Sequence, residues 1–324
     1  MDFMHIYSDT PFDESAMGLL KAGVNKHQLV FPEKMAESVL GRSEAGPEFD
    51  TADIAFGQPD VECVLRSDKL RWLHISTAGY TRYDTKEFRD KMKSRGIPVT
   101  NSSSVYSDAC VDHVFSFMLA QSRQLVPNLA SSCAAGTDEW FGLRDSAVPL
   151  RGQKVVILGF GTIAKRLVEV LAPWDVDVTA VRRSPRGDEG VAVITSEQLP
   201  EALSGADHVI NILPDNAASA RFVNQERLSQ MKKGSVFYNI GRGGTVDQEA
   251  LADALNSERL AAAWLDVTDP EPLPADHVLR SAKNCYITPH TAGGHHAESS
   301  TLVKHFIENL RRFEAGEELL DRIM

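Results

Sequence analysis

Long apolar runs are missing from this 324-residue chain. None reaches the ~18 residues that a membrane-spanning helix needs, which argues against a membrane protein. Basic blocks are missing too. The chain carries 34 Lys+Arg against 45 Asp+Glu, a formal charge of −11, so neither nucleic acid nor an anionic membrane is expected as its main partner. Cysteine is scarce: Cys63, Cys110, Cys133 and Cys285 lie far apart and form no C-x-x-C pair. That argues against a disulfide framework and against a zinc site, so no metal is expected, and it fits a reducing cytoplasm. The opening residues Met1-Asp2-Phe3-Met4-His5 lack the basic end and apolar centre of a signal peptide, which again points to the cytoplasm. Internal repeats and low-complexity tracts are absent. What is present, 43% hydrophobic and 24% charged residues, is the composition of a globular chain with ample core. At roughly 150 residues per domain, its length suits two domains or one large one.

Short strand-like runs alternate with helical stretches along the first hundred residues. Met4 to Tyr7, Gln28 to Phe31, Ile54 to Phe56 and Leu73 to Ser76 read as strands, and Ser15 to Ala22 as a helix. Such β-α-β alternation implies a parallel sheet covered by helices. Val105 to Arg123 is a long apolar-periodic helix, a bridge between two halves. Residues 131–150 hold Gly, Ser, Asp and Pro and read as a surface connection. A second alternating unit starts at Lys154. Val155 to Leu158 is continuously apolar, as a strand buried on both faces should be. Val176 to Val181, His208 to Leu213, Ser235 to Ile240, Ala261 to Leu265 and Cys285 to Ile287 follow it, and an amphipathic helix from Ala297 to Ala315 closes the chain.

Gly159-Phe160-Gly161-Thr162-Ile163-Ala164 directly follows the buried strand and opens a helix. This is the G-x-G-x-x-G/A loop in the context that gives it meaning. Gly159 permits the tight turn, Gly161 lets the backbone approach a pyrophosphate, and Ala164 allows close helix packing. The N–H groups of Thr162 and Ile163, at the helix start, would face the phosphates. An NAD site usually places Asp or Glu at the end of the next strand to bind the ribose. Here the chain reads Val181-Arg182-Arg183-Ser184-Pro185-Arg186. Guanidiniums bind a 2′-phosphate in bidentate fashion and a carboxylate would repel it. NADP(H) is therefore the favoured cofactor. NAD(H) stays open, because Asp188 or Glu189 could fold back onto the ribose.

Three segments each place one ionisable residue just past an apolar strand: Asn239-Ile240-Gly241-Arg242-Gly243-Gly244, Leu265-Asp266 through Glu271-Pro272-Leu273-Pro274, and Thr288-Pro289-His290-Thr291-Ala292-Gly293. In an open α/β sheet the carboxyl ends of strands line the ligand crevice, so Arg242, Glu271 and His290 could converge. With the glycine loop, these segments resemble the D-isomer-specific 2-hydroxyacid dehydrogenase family, from about Ile97 to the last helix. The branch they are most similar to is that of the glyoxylate/hydroxypyruvate reductases. The resemblance implies that Arg242 binds the substrate carboxylate and carbonyl, His290 is the acid/base and Glu271 pairs with it. Asp266 would contact the nicotinamide amide, although a helix-cap or turn role is equally open to it. In Ser76-Thr77-Ala78-Gly79-Tyr80, the N–H groups of Ala78 and Gly79 would receive the carboxylate. The resemblance also implies an α/β fold in which a doubly wound Rossmann cofactor domain, residues 103–292, is inserted into a smaller flavodoxin-like substrate domain, residues 1–102 plus 293–324. Family members usually form homodimers through the cofactor domain.

The chemistry of these roles stands without the resemblance. Reducing a 2-keto acid sends a hydride to the carbonyl carbon while the carbonyl oxygen takes a proton. An imidazolium, with an unperturbed pKa of ~6.5, is a suitable donor, and a nearby carboxylate favours its charged form. Arg offers a planar fork for a carboxylate and stabilises developing negative charge. The branch that the chain resembles and its arginine-rich turn, not the pocket residues, make small 2-keto acids such as glyoxylate and hydroxypyruvate the favoured substrates; a longer or branched one remains open. The second reading is a nucleotide-sensing, corepressor-like protein on the same scaffold. Trp264 stands where relatives usually carry a small residue, a departure that should reshape the packing behind Asp266.

Overall fold

The computed structural model describes residues 3–38, 41, 46–187 and 189–324. The chain divides into two compact units, Met1–Tyr106 with Gly294–Met324, and Ser107–Gly293.

The first unit begins with β1 (His5–Ser8), α1 (Glu14–Gly23), β2 (Gln28–Val30), β3 (Ile54–Gly57), α2 (Val61–Arg66), β4 (Trp72–Ile75), α3 (Lys86–Arg95) and β5 (Val99–Thr100). The strands form one sheet in the order β2-β1-β3-β4-β5, with every pair parallel. This is the flavodoxin-like order. Every residue of β3 and β4 is buried, which explains why those runs are apolar throughout rather than alternating. Helix starts follow their capping residues: the Asp13 carboxylate accepts from the Ala16 N–H at 2.8 Å at the head of α1. Such a cap contributes about 1 kcal/mol.

α4 (Ser103–Ser122) contains the point where the units divide. The second unit continues through α5 (Leu125–Ala130), α6 (Asp138–Asp145), β6 (Lys154–Leu158), α7 (Thr162–Leu171), β7 (Asp177–Val181), β8 (Ala192–Ile194), α8 (Leu199–Gly205), β9 (His208–Asn211), α9 (Gln225–Gln230), β10 (Ser235–Asn239), α10 (Gln248–Asn256), β11 (Leu260–Leu265) and β12 (Cys285–Ile287). Its sheet is all parallel in the order β12-β11-β10-β9-β6-β7-β8. The strand order reverses between β6 and β9, which is where a doubly wound Rossmann sheet opens its ligand crevice. Val156, Leu158, Val209, Phe237, Ala263 and Leu265 carry the core on one face of this sheet.

The chain ends in α11 (Glu298–Ala315), which belongs to the first unit. Phe306 explains why: its ring stacks on Phe56 of β3 at 4.2 Å and on Trp72 of β4 at 5.3 Å. It is fully buried, a burial that contributes roughly 1.5–3 kcal/mol.

Residues 131–150 are more ordered than a surface connection, since α6 lies inside them. Thr137 caps that helix, accepting from the Trp140 N–H at 3.3 Å, and Asp138 and Glu139 fill its first turn. The two-residue β5 is too short to show any period, and β8, an edge strand of the second sheet, follows the polar turn after β7 and escapes a pattern reading.

Candidate active site

The glycine turn closes the gap between β6 and α7. Gly159 has φ +97°, and a Cβ there would lie 3.3 Å from the Ile212 carbonyl oxygen of the neighbouring strand end. Gly161 is the N-cap of α7 and offers no side chain to the helix's first N–H groups. Nothing lies within 4 Å of where its Cβ would be. The donors of Thr162, Ile163 and Ala164 therefore open onto free space at a positive helix end, and these residues fit a dinucleotide pyrophosphate. Ala164, Leu167 and Leu171 are buried and hold the helix to the sheet.

Past β7, Arg182 pairs with Glu189 at 3.2 Å, while Arg183 and Arg186 are exposed. The Glu189 carboxylate also accepts from the N–H groups of Arg186 and Gly187, each at 2.7 Å. These backbone hydrogen bonds, with the Arg182 guanidinium, hold it below the usual carboxylate range. Glu189 thus fastens its own basic turn; Asp188 lies outside the described residues.

Arg242 follows β10 on a loop fixed by buried amides. The Asn239 side-chain N–H and the Thr245 hydroxyl both donate to the Arg242 carbonyl, at 3.1 and 2.6 Å. Asn211 in turn donates to Asn239 at 3.0 Å and to Thr245 at 2.7 Å. The glycines flanking Arg242 are needed because neighbouring backbone runs against them. A Cβ on Gly243 would fall 2.0 Å from the Thr268 carbonyl group, and one on Gly241 would fall 2.7 Å from the Leu213 oxygen. Burial pushes the Arg242 guanidinium down from its ordinary range, while Glu271, Asp215 and Cys110 pull it back up. Burial also pushes the Cys110 thiol up to about 12.

Glu271 lies three residues beyond Thr268, whose N–H donates to one of its oxygens at 2.9 Å. Its other oxygen meets Nδ1 of His290 at 2.8 Å. Partial burial raises the Glu271 carboxyl, but hydrogen bonds from His290 and the Thr268 N–H, with the Arg242 charge, bring it below its ordinary value. His290 follows β12 in the left-handed region, with φ +53°. Asp266 sits beneath its loop and is buried. One Asp266 oxygen accepts from the Thr288 hydroxyl at 2.6 Å and the Thr291 N–H at 2.9 Å; the other accepts from the Ala292 N–H at 2.9 Å.

The second unit therefore gathers a guanidinium, an imidazole and two carboxylates at the carboxyl ends of β10, β11 and β12. Ala78 and Gly79 belong to the first unit, in the loop after β4. There Asn101 donates to the Ala78 carbonyl at 2.7 Å and the Thr77 hydroxyl to that of Gly79 at 2.6 Å. Sequence reading missed Asn211, Thr245, Asp215 and His113. An asparagine closing an otherwise apolar strand, as Asn211 and Asn239 do, is the signal that could have found the amide pair. Trp264 fills the space behind Asp266, stacking on Phe117 at 4.8 Å and lying 4.2 Å from Tyr286.

Comparisons with known proteins give consistent matches. Residues 115–292 match the family model described as the NAD binding domain of D-isomer specific 2-hydroxyacid dehydrogenase. A glyoxylate reductase/hydroxypyruvate reductase of Homo sapiens is 32% identical over 231 residues, covering 70% of each chain. A glyoxylate/hydroxypyruvate reductase B of Erwinia tasmaniensis is 26% identical over 301 residues, covering 90% of this chain and 86% of the other. Among solved structures, a D-isomer specific 2-hydroxyacid dehydrogenase of Xanthobacter autotrophicus Py2, in complex with NADPH and MES, shares the fold. Its TM-score is 0.78 at 24% identity, over 100% of this chain and 98% of that one.

Proposed function

The chain belongs to the D-isomer specific 2-hydroxyacid dehydrogenase family, and from that premise we propose that this NAD(P)-dependent dehydrogenase reduces small 2-keto acids of the glyoxylate and hydroxypyruvate kind, preferring NADPH. The observation that carries the reading is the 2.8 Å contact between Glu271 and His290 beside the Arg242 charge. The names of the human and Erwinia relatives support the substrate class, and the NADPH complex of the Xanthobacter protein supports the cofactor.

When bound, NADPH supplies the hydride for the carbonyl carbon. Glu271 holds Nδ1 of His290, which leaves Nε2 as the nitrogen that hands a proton to the carbonyl oxygen. Arg242 is assigned to the substrate carboxylate and to the charge developing on that oxygen. The second unit is the cofactor domain in this reading: Gly159, Gly161, Thr162 and Ile163 take the pyrophosphate, and Arg182 and Arg183 the 2′-phosphate. Asp266 already accepts three hydrogen bonds; a carboxylate has about four acceptor positions, so one remains for the nicotinamide amide. The first unit is the substrate domain, with the N–H groups of Ala78 and Gly79 receiving the carboxylate. The apolar side chains of Leu125, Val126, Leu129, Phe141 and Val148 are exposed on the second unit. We assign them to a homodimer contact, to be checked by sedimentation.

The test is oxidation of NADPH in the presence of glyoxylate, hydroxypyruvate and a branched 2-keto acid, followed by absorbance. Turnover of about 1 s⁻¹ or more on a small keto acid, with a lower KM for NADPH than for NADH, supports the reading. Binding of NADPH without turnover would overturn it and favour a sensor.

A further inference from the structure

We infer that His113, on α4, is a positioning residue that holds the His290 loop through the Thr288 hydroxyl and the Asp266 carboxylate. The inference rests on the reading of His290 as the proton donor.

The directions of the hydrogen bonds can be worked out. Nε2 of His113 lies 3.2 Å from the Thr288 hydroxyl oxygen and 3.5 Å from an Asp266 oxygen. That hydroxyl is 2.6 Å from the same Asp266 oxygen. An ionised carboxylate accepts only, so the hydroxyl hydrogen goes to Asp266. The hydroxyl lone pair must then receive from His113, and Nε2 carries the hydrogen. The result is a directed chain from the His113 N–H to the Thr288 O–H to the Asp266 carboxylate. From Asp266 it reaches the backbone of the catalytic loop: the carboxylate holds the N–H groups of Thr291 and Ala292, and the Asp266 carbonyl accepts from the His290 N–H at 2.9 Å. His290 has φ +53°, a conformation that is sterically disfavoured for a non-glycine residue. It persists only where the surroundings over-determine it, and these bonds are what over-determines it.

His113 is itself held in place. Cys110, His113, Val114 and Phe117 follow the spacing of one helix face. The His113 ring meets the Phe117 ring edge-on at 4.4 Å, and Phe117 stacks on Trp264 at 4.8 Å. The Trp264 indole N–H donates to Gln121, one helical turn further along α4, at 3.1 Å. A run of rings thus leads from β11 to the histidine, with Trp264 backing the Phe117 ring against which His113 rests. Burial lowers the His113 pKa while Asp266 opposes the change, so the neutral Nε2–H tautomer serves as donor. The other ionisable groups of the cluster are Glu271, Arg242 and Cys110.

The test does not require turnover. In histidine-labelled protein without cofactor, the His290 ring cross-peaks are assigned by their loss in His290→Gln, then compared by NMR at one pH in wild type and in His113→Leu. A loosened loop changes the placement of the His290 ring against Glu271, so these cross-peaks should move in His113→Leu. His113→Gln keeps a side-chain N–H and should return them to their wild-type positions. Thr288→Val should reproduce the movement, Thr288→Ser should not, and the His113→Leu/Thr288→Val double variant should be no worse than either. In the same proteins kcat for glyoxylate should drop roughly ten-fold in the two disruptive variants with KM for NADPH unchanged. Unchanged His290 cross-peaks in folded His113→Leu and Thr288→Val would overturn the inference. Should His113→Leu not fold, the Thr288→Val and Thr288→Ser pair decides alone. If wild type turns over no 2-keto acid, the functional reading fails, and the NMR comparison still judges the link from His113 to His290.

Discussion

Gly243→Ala adds one methyl group and should cripple the site. The new Cβ would lie 2.0 Å from both the carbonyl carbon and oxygen of Thr268 and 2.6 Å from the Asp269 nitrogen. Carbon atoms in contact settle at about 3.5–4.0 Å, so the Arg242 and Thr268 loops must separate by roughly 1.5 Å. Both sides of the clash are backbone, and no side chain can rotate out of the way. The separation moves Arg242 on one loop and Glu271 on the other, and a misplacement of about 1 Å can cost ~100-fold in rate. Overpacking of this kind costs about 1–3 kcal/mol or more, which lowers Tm by several degrees for a unit of this size. The glycine turn at Gly159 is a separate loop, so NADPH affinity should stay near wild type. Steady-state kinetics with glyoxylate, fluorescence titration with NADPH and thermal unfolding measure the three quantities. Gly18→Ala is the control, since nothing lies within 4 Å of its Cβ position. Near-normal kcat/KM and Tm in Gly243→Ala would refute the claim that backbone contact dictates this glycine.

Glu271→Gln should lower kcat/KM for keto-acid reduction about ten-fold or more, because the imidazole loses the carboxylate that holds Nδ1 at 2.8 Å; near-normal kcat/KM would argue against the pairing. Arg183→Ala should raise KM for NADPH about ten-fold while leaving NADH unaffected, and equal effects on both cofactors would remove the 2′-phosphate assignment. Stability should be acid-sensitive through His208, which burial pushes down to about 4, against the pull of Asp207. The unfolded chain takes up that proton near pH 6.5 and the native state refuses it, so this contribution is complete above about pH 6.5 and is lost as pH falls to about 4. His208→Gln should flatten the fall of Tm over that window, and a slope equal to wild type would contradict the assignment.

Most strands of both sheets could be read from the sequence because buried parallel strands announce themselves as short apolar runs, as Val155 to Leu158 does. Cys285 to Ile287 matches β12 to the residue. Helix α6 was hidden because its sequence is that of an exposed segment: its Thr cap and acidic first turn support a helix, but no apolar stripe marks one. The site divides the same way. Arg242, Glu271 and His290 stand just past strands, where loop chemistry is visible in sequence. The groups that aim them, Asn211, Thr245 and His113, come from other strands, turns and helices. Asn211 reaches Asn239 and Thr245 from 28 and 34 residues away, and His113 reaches Thr288 from 175, so the folded chain is needed to show what they hold. Asp266 reads in sequence as a turn or a ligand contact; the fold makes it the foot of the His290 loop.

We propose that this cluster directs reduction of a 2-keto acid. The most direct measurement supplies hydroxypyruvate with NADPH deuterated at the transferable C4 position and follows the label by NMR. Deuterium on C2 of D-glycerate with wild type, and none above background with His290→Ala, is the predicted result. L-glycerate, unlabelled product, or undiminished transfer by His290→Ala would contradict it.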